Sequence, residues 1–179
     1  MTPPSELEGC VLGHLWKHGP CTAYSIRKVL LDSPSLHWGG SAGAVYPLIA
    51  RFEERGFVRS KKEMHGDRAG WLYTLTASGR RRFLVWLGPP VAPEVVSITP
   101  DPLRTRSYYL DALSPGRLAA FFAQGRKALK EHLRVLTAQK AEDDLERLAL
   151  RGAARLTRAR LAWIEEVRRA LGRSRRAKR

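Results

Sequence analysis

The stretch Trp38–Phe52, WGGSAGAVYPLIARF, decides how this chain folds, and it admits two readings. Gly39-Gly40-Ser41-Ala42-Gly43 fits the G-x-S-x-G turn that projects a nucleophilic serine above a parallel sheet. That turn needs a buried apolar strand before the serine. Asp32-Ser33-Pro34-Ser35-Leu36-His37-Trp38 is no such strand, and the chain lacks alternating strand–helix units. The other reading is a helix over about 41–55. Val45, Leu48, Ile49 and Phe52 fall at i, i+3, i+4 and i+7, one continuous core-facing stripe. Ser41 is placed to cap its start and Gly56 to close it at the C′ position.

The opposite side of this helix carries Gly43, Tyr46, Pro47 and Ala50, with Arg51 at its margin. It is flat and nearly uncharged, unlike an ordinary solvated face. Small side chains let a backbone approach a groove, and helix N-terminal amides hold phosphate. Ser41, Gly43, Tyr46 and Arg51 are therefore candidate DNA contacts, and Pro47 is expected to bend the helix.

Working outward, residues 5–18 read as a helix capped by Ser5, with Leu7, Val11, Leu12 and Leu15 in its stripe. Gly19-Pro20 stops it. Thr22 caps a second helix, with Tyr24, Ile26, Val29 and Leu30 as core positions, ending near Asp32. After the third helix, Phe57–Met64 and Trp71–Thr76 read as strands joined through His65–Gly70, and Ala77–Leu87 as a fourth helix. This order is a winged helix-turn-helix over residues 1–87. Lys61, Lys62, His65 and Arg68 stand around the wing, with Arg68 suited to the phosphate backbone or minor groove. Glu63 and Asp67 dilute that patch.

Residues 88–102, with five prolines, read as a stiff linker. Helix is expected over Leu103–Leu113, and Ser114-Pro115 opens a longer one. In that helix Leu118, Phe122, Gly125, Leu129, His132 and Leu136 recur at spacings of four and three, a coiled-coil seam. A last helix from about Ala154 to Leu171 carries Leu156, Trp163, Ile164, Val167 and Leu171. Residues 103–173 thus form a helical, coiled-coil-like unit with more apolar surface than it can bury alone. A second copy of the chain is the simplest partner, through Leu118, Phe122, Leu129, Leu136, Leu156, Trp163 and Val167. The basic tail, 174–179, reads as a solvated end. The fold class is mainly α with a small β-hairpin.

The 179 residues carry 32 Lys+Arg against 17 Asp+Glu, a net charge of +15, which favours a polyanionic partner. Two cysteines, Cys10 and Cys21, make no disulfide framework. Cys10, His14 and His18 share a helical stripe, but Gly19-Pro20 intervenes before Cys21 and the spacing fits no usual zinc module, so no metal or cofactor is expected. MTPPSELEGC does not read as a signal peptide, and no run of about 18 apolar residues suggests a membrane span. The expected setting is the cytoplasm.

Three blocks resemble the PadR family of transcriptional regulators. Gly19-Pro20-Cys21-Thr22-Ala23-Tyr24 is similar to its "GP-x-x-G-Y" turn, and Ser41–Val58 to its "S-x-G-T-L-Y-P-x-L-x-x-L-E-x-x-G-L-V". Tyr73–Arg80 resembles its "Y-x-L-T-x-x-G-R". The blocks cover about residues 10–87, and the helical remainder resembles the longer dimerisation domain of one branch. Departures are Ala23 for a glycine, Ala44 for a hydroxyl residue, and an aspartate beside the single wing arginine. The resemblance implies a homodimeric winged-helix repressor, with Tyr24 on the supporting helix and the third helix in the major groove of a palindromic operator. It also implies release by a small effector. Tyr108, Tyr109, Phe121, Phe122 and Trp163 are candidate linings for an apolar or aromatic ligand. A helical protein–protein adaptor and a serine hydrolase are the rival classes.

Overall fold

The computed structural model describes residues 3–33, 38, 41–65, 68–97 and 101–177. The chain forms two compact units, Met1–Ser97 and Ile98–Arg179.

In the first unit, α1 (Glu6–His18) opens on a capping box. The Glu8 amide donates to Ser5 Oγ at 3.3 Å, and the Ser5 amide to Glu8 Oε2 at 2.8 Å. α2 (Ala23–Asp32) is capped by Thr22, whose hydroxyl accepts from the Ser25 amide at 3.0 Å. Its buried face is Ala23, Ile26 and Leu30. Tyr24 and Val29, expected in the core, are instead exposed, because at 100° per residue they fall off the stripe that 23, 26 and 30 define.

The third helix begins differently from expectation. Ser41 has helical backbone angles and makes no side-chain capping bond. A 3-10 turn, Ala42–Ala44, leads into α3 (Val45–Glu54). Pro47 is thereby the third residue of α3. In a first turn the missing N–H costs little, so no mid-helix break arises. The C-terminus follows expectation. Gly56 has φ +67, its amide donates to Glu53 O, and the Phe57 amide donates to Phe52 O at 2.8 Å. These are the two bonds of a Schellman motif, and the Phe52–Phe57 ring contact supplies its apolar clasp.

β1 (Val58–His65) and β2 (Arg68–Leu75) pair antiparallel from Val58↔Leu75 to His65↔Arg68. The pairing runs farther than the sequence pattern suggested, because the small residues Ala69 and Gly70 extend β2 opposite Met64 and Glu63. Thr76 caps α4 (Ala77–Leu87) through the Gly79 amide, while its own hydroxyl donates to Gly56 O at 2.7 Å. One threonine thus ties the end of α3 to the start of α4. A Cβ on Gly79 would lie 2.0 Å from Phe57 O, so this approach requires glycine. The core contains Val11, Leu12, Leu15, Ile26, Val45, Leu48, Ile49, Phe52, Val58 and Phe83. α5 (Pro93–Val96) is a single turn within the proline-rich stretch.

In the second unit, α6 (Pro102–Ser107) and a 3-10 turn (Leu110–Ala112) replace the single helix expected over 103–113. Asp101 caps α6 and accepts from Arg160 at 2.6 Å. Burial pushes its carboxyl up, but bonds from Arg160 and the α6 amides prevail and hold it below its ordinary value. α7 (Pro115–Ala138) packs along α8 (Asp144–Ala177), which begins ten residues before the expected start. Leu118, Phe122, Leu129 and Ile164 are buried between them, and a Cβ on Gly125 would meet Ile164 at 3.0 Å.

Candidate nucleic-acid interface

The geometry of α3 separates its two sides cleanly. Val45, Leu48, Ile49 and Phe52 are at most 1% exposed. Gly43, Pro47, Ala50 and Arg51 are exposed, and Tyr46 is 50% exposed with its phenol outward from the core stripe. No atom lies within 4 Å of a Cβ placed on Gly43, and its φ is not positive. Neither packing nor backbone conformation in this chain therefore asks for a glycine there. Tyr24, 61% exposed, stands on α2, which packs against both the 3-10 turn and α3.

Two ties join the helix-turn-helix to the hairpin, and local periodicity signals neither. The Ser60 amide and hydroxyl both donate to Glu53 Oε1, joining the end of α3 to β1. Cys21 exchanges backbone hydrogen bonds with Tyr73, N to O at 3.2 and 2.8 Å, which anchors the entrance to α2 on β2. Burial, with the Glu53 carboxylate second, raises the Tyr73 phenol pKa.

On the wing, Lys61 and Lys62 are both exposed. Successive strand residues point to opposite faces, so Lys61 shares a face with Arg59 and Glu63, whereas Lys62 lies on the face of Val58 and Ser60. They do not form one patch. The backbone of Arg68 pairs with His65, while its side chain lies outside the described residues, as do Gly39 and Gly40.

The remaining sequence candidates separate. Leu118, Phe122, Leu129 and Leu136 are buried within their own unit. Their seam runs against α8 of the same chain, which is why it does not stand open to a partner. Trp163 and Val167 are half-buried on that core, and Leu156 is 70% exposed. Of the ligand-lining candidates, Phe121 and Trp163 pack on the core, while Tyr108 and Tyr109 are exposed. Among the described residues no three His, Cys, Asp or Glu side chains converge as metal ligands. Burial, followed by the Glu6 carboxylate, pushes the Cys10 thiol up to about 11, and burial also raises that of Cys21. No described helix is long and apolar enough to cross a membrane.

A helix-turn-helix with a two-stranded wing, followed by a helical unit, is the winged-helix architecture that DNA-binding transcriptional regulators use. Residues 11–84 match the model of the transcriptional regulator PadR-like family. No curated protein matches the chain by sequence. Bacillus subtilis PadR in complex with operator DNA superposes with a TM-score of 0.74 at 20% identity, over 93% of this chain and 97% of that one. A PadR-like transcriptional regulator from Bacillus cereus gives 0.71 at 16% identity, covering 92% and 95%. Bacillus subtilis PadR in complex with p-coumaric acid gives 0.63 at 18% identity, covering 92% and 96%. At these identities the likeness shows the fold.

Proposed function

We propose that the protein is a cytoplasmic repressor that binds a palindromic operator as a homodimer, with α3 in the major groove. The observation that carries this reading is the side of α3 that the core does not use: Gly43, Tyr46, Ala50 and Arg51, flat and open, with a glycine unexplained by the chain itself. In this reading Tyr46 reaches base edges and Arg51 the backbone. Ser41 meets phosphate at the helix entrance, Tyr24 supports from α2, and Lys61, Lys62 and Arg68 of the wing hold the flanking strand. Residues 1–87 are the DNA-binding domain, 88–102 the linker, 103–173 the dimerisation domain and 174–179 a basic tail.

Dimerisation is supported by α8, where Leu145, Leu148, Gly152, Leu156 and Ala159 follow spacings of three and four. Leu145, Leu148 and Leu156 are exposed. Such a stripe, turned away from the residues packed on α7, fits a second copy of itself. Trp163 and Val167 border it, while Leu118, Phe122, Leu129 and Leu136 support it from within. The two reading helices then lie about 34 Å apart, one turn of B-DNA. A small apolar or aromatic effector that releases the operator fits the aromatic set Tyr108, Phe121 and Trp163, and the p-coumaric acid complex of Bacillus subtilis PadR supports such a ligand class. The test is a gel-shift with the region upstream of the protein's own gene, repeated at rising salt. Preferential binding over unrelated duplex is expected; equal binding to both sinks the proposal.

A further inference from the structure

Most of this protein's excess positive charge belongs to its second unit. Residues 1–97 hold 12 Lys+Arg against 8 Asp+Glu, net +4, whereas residues 98–179 hold 20 against 9, net +11. α8 carries the most regular part of that excess. Arg147, Arg151, Arg155 and Arg158 recur at i, i+4, i+8 and i+11, all exposed, within about 80° of the helix circumference. Ala154, Thr157 and Ile164 occupy the side packed in the unit, and Leu145 and Leu156 the open apolar side. The arginine row lies on neither, so a dimer formed through the apolar side leaves the row in solvent.

Asp144 holds Arg147 at 2.6 Å. Arg151, Arg155 and Arg158 have no carboxylate partner among the described residues. Like charges at i, i+4 oppose helix formation, so the row costs the free protein something that a polyanion relieves. Arg147, Arg151 and Arg158 also border a hollow of about 400 Å³ with Leu136, Thr137 and Gln139. We propose that this row is a second DNA-binding surface, one that holds the phosphates of duplex DNA without reading sequence. The guanidinium fork matches a phosphate bidentately. At 1.5 Å per residue the row spans about 16 Å, alongside which one strand of B-DNA presents about five phosphates. The choice of duplex DNA as occupant rests on the DNA-binding reading of the first unit.

The test uses the full chain carrying Arg151→Ala, Arg155→Ala and Arg158→Ala together, with the Arg→Gln triple as a second variant should the first fail to fold. Affinity for a 30-base-pair duplex (about three turns) unrelated to the upstream fragment is measured against salt. Three lost phosphate contacts flatten the log–log slope by about 2.7, about 40-fold over a four-fold change in salt. Preference for the upstream fragment persists, because α3 is untouched. An unchanged slope in a folded variant overturns the proposal. So does an unchanged duplex slope accompanied by lost binding to phosphatidylserine vesicles, which assigns the row to a membrane. Wild-type protein that shows no preference for the upstream fragment counts instead against the operator reading, and leaves the slope comparison interpretable.

Discussion

Gly43 offers the sharpest separation between what the fold needs and what DNA needs. A Cβ there meets nothing within 4 Å, and the backbone is not left-handed. Replacing it with alanine removes conformational freedom from the unfolded chain without strain, so Gly43→Ala is expected to stabilise by about 0.5–1 kcal/mol. That corresponds to on the order of 4 °C in Tm for a unit of this size. Leucine is nearly as good a helix former, so Gly43→Leu keeps most of the gain. Its effect on DNA is opposite. A branched side chain on the face that approaches the groove displaces the backbone and with it at least one base contact, about 1–3 kcal/mol, or roughly ten- to a hundred-fold in affinity. Thermal unfolding and a gel-shift on the upstream fragment read the two effects separately. Gly79→Ala is the contrasting control. Its Cβ would lie 2.0 Å from Phe57 O, so it should destabilise by about 1–3 kcal/mol while folded protein still binds DNA normally. If Gly43→Leu binds like wild type, the open side of α3 is not the DNA-facing side. If it destabilises the protein, the glycine serves the fold after all.

Tyr46→Ala and Arg68→Ala are each predicted to weaken operator binding by about 1–3 kcal/mol with the dimer intact by light scattering; wild-type affinity in both removes the proposed contacts. Leu156→Asp places a charge on the open side of α8 and is expected to shift the mass toward monomer with little change in helix content by circular dichroism. A dimer of unchanged affinity locates the interface elsewhere. Cys10 gives a pH signature. Its thiol holds its proton to about 11 in the folded state against 9.0 ordinarily, so its contribution to stability is intact below pH 9 and is lost as pH climbs from 9 to 11. Urea midpoints for wild type and Cys10→Ala should diverge across that window; parallel curves refute the burial argument.

Where local chemistry acts alone, the sequence was legible. The stripe of α3 and the αL turn at Gly56 each depend on residues within a few positions of one another, and each stands where the pattern puts it. Tyr46 and Gly43 stand out as candidate binding residues for the same reason, since they fall off a well-defined core stripe. What escaped depends on distant pairing or on competition between faces. Nothing near Cys21 signals its bridge to Tyr73, and nothing near Glu53 signals Ser60. The first turns of α8 carry apolar residues on two sides, Leu145 and Leu148 on one and Leu150 on another, beside the arginine row, which blurs them as one core-facing stripe. Ser41 has a residue type that suits a cap, but the 3-10 turn that follows it places the α-helical entrance at Val45.

The seam of α7 shows how a correct period can still mislead about its partner. Spacings of four and three at Leu118, Phe122, Leu129 and Leu136 require a helix to pack against, but they do not say whose. Within the chain α8 fills that role and hides all four leucine and phenylalanine side chains. Burying one side of α8 on α7 leaves the other apolar side, with Leu145, Leu148 and Leu156, exposed. The apolar surface that a second copy would cover on the proposed reading therefore lies on α8 and not on α7. On this argument substitutions that truncate Leu129 should unfold the helical unit, whereas those at Leu156 should separate folded protomers, and unfolding and mass measurements on the two variants distinguish the roles.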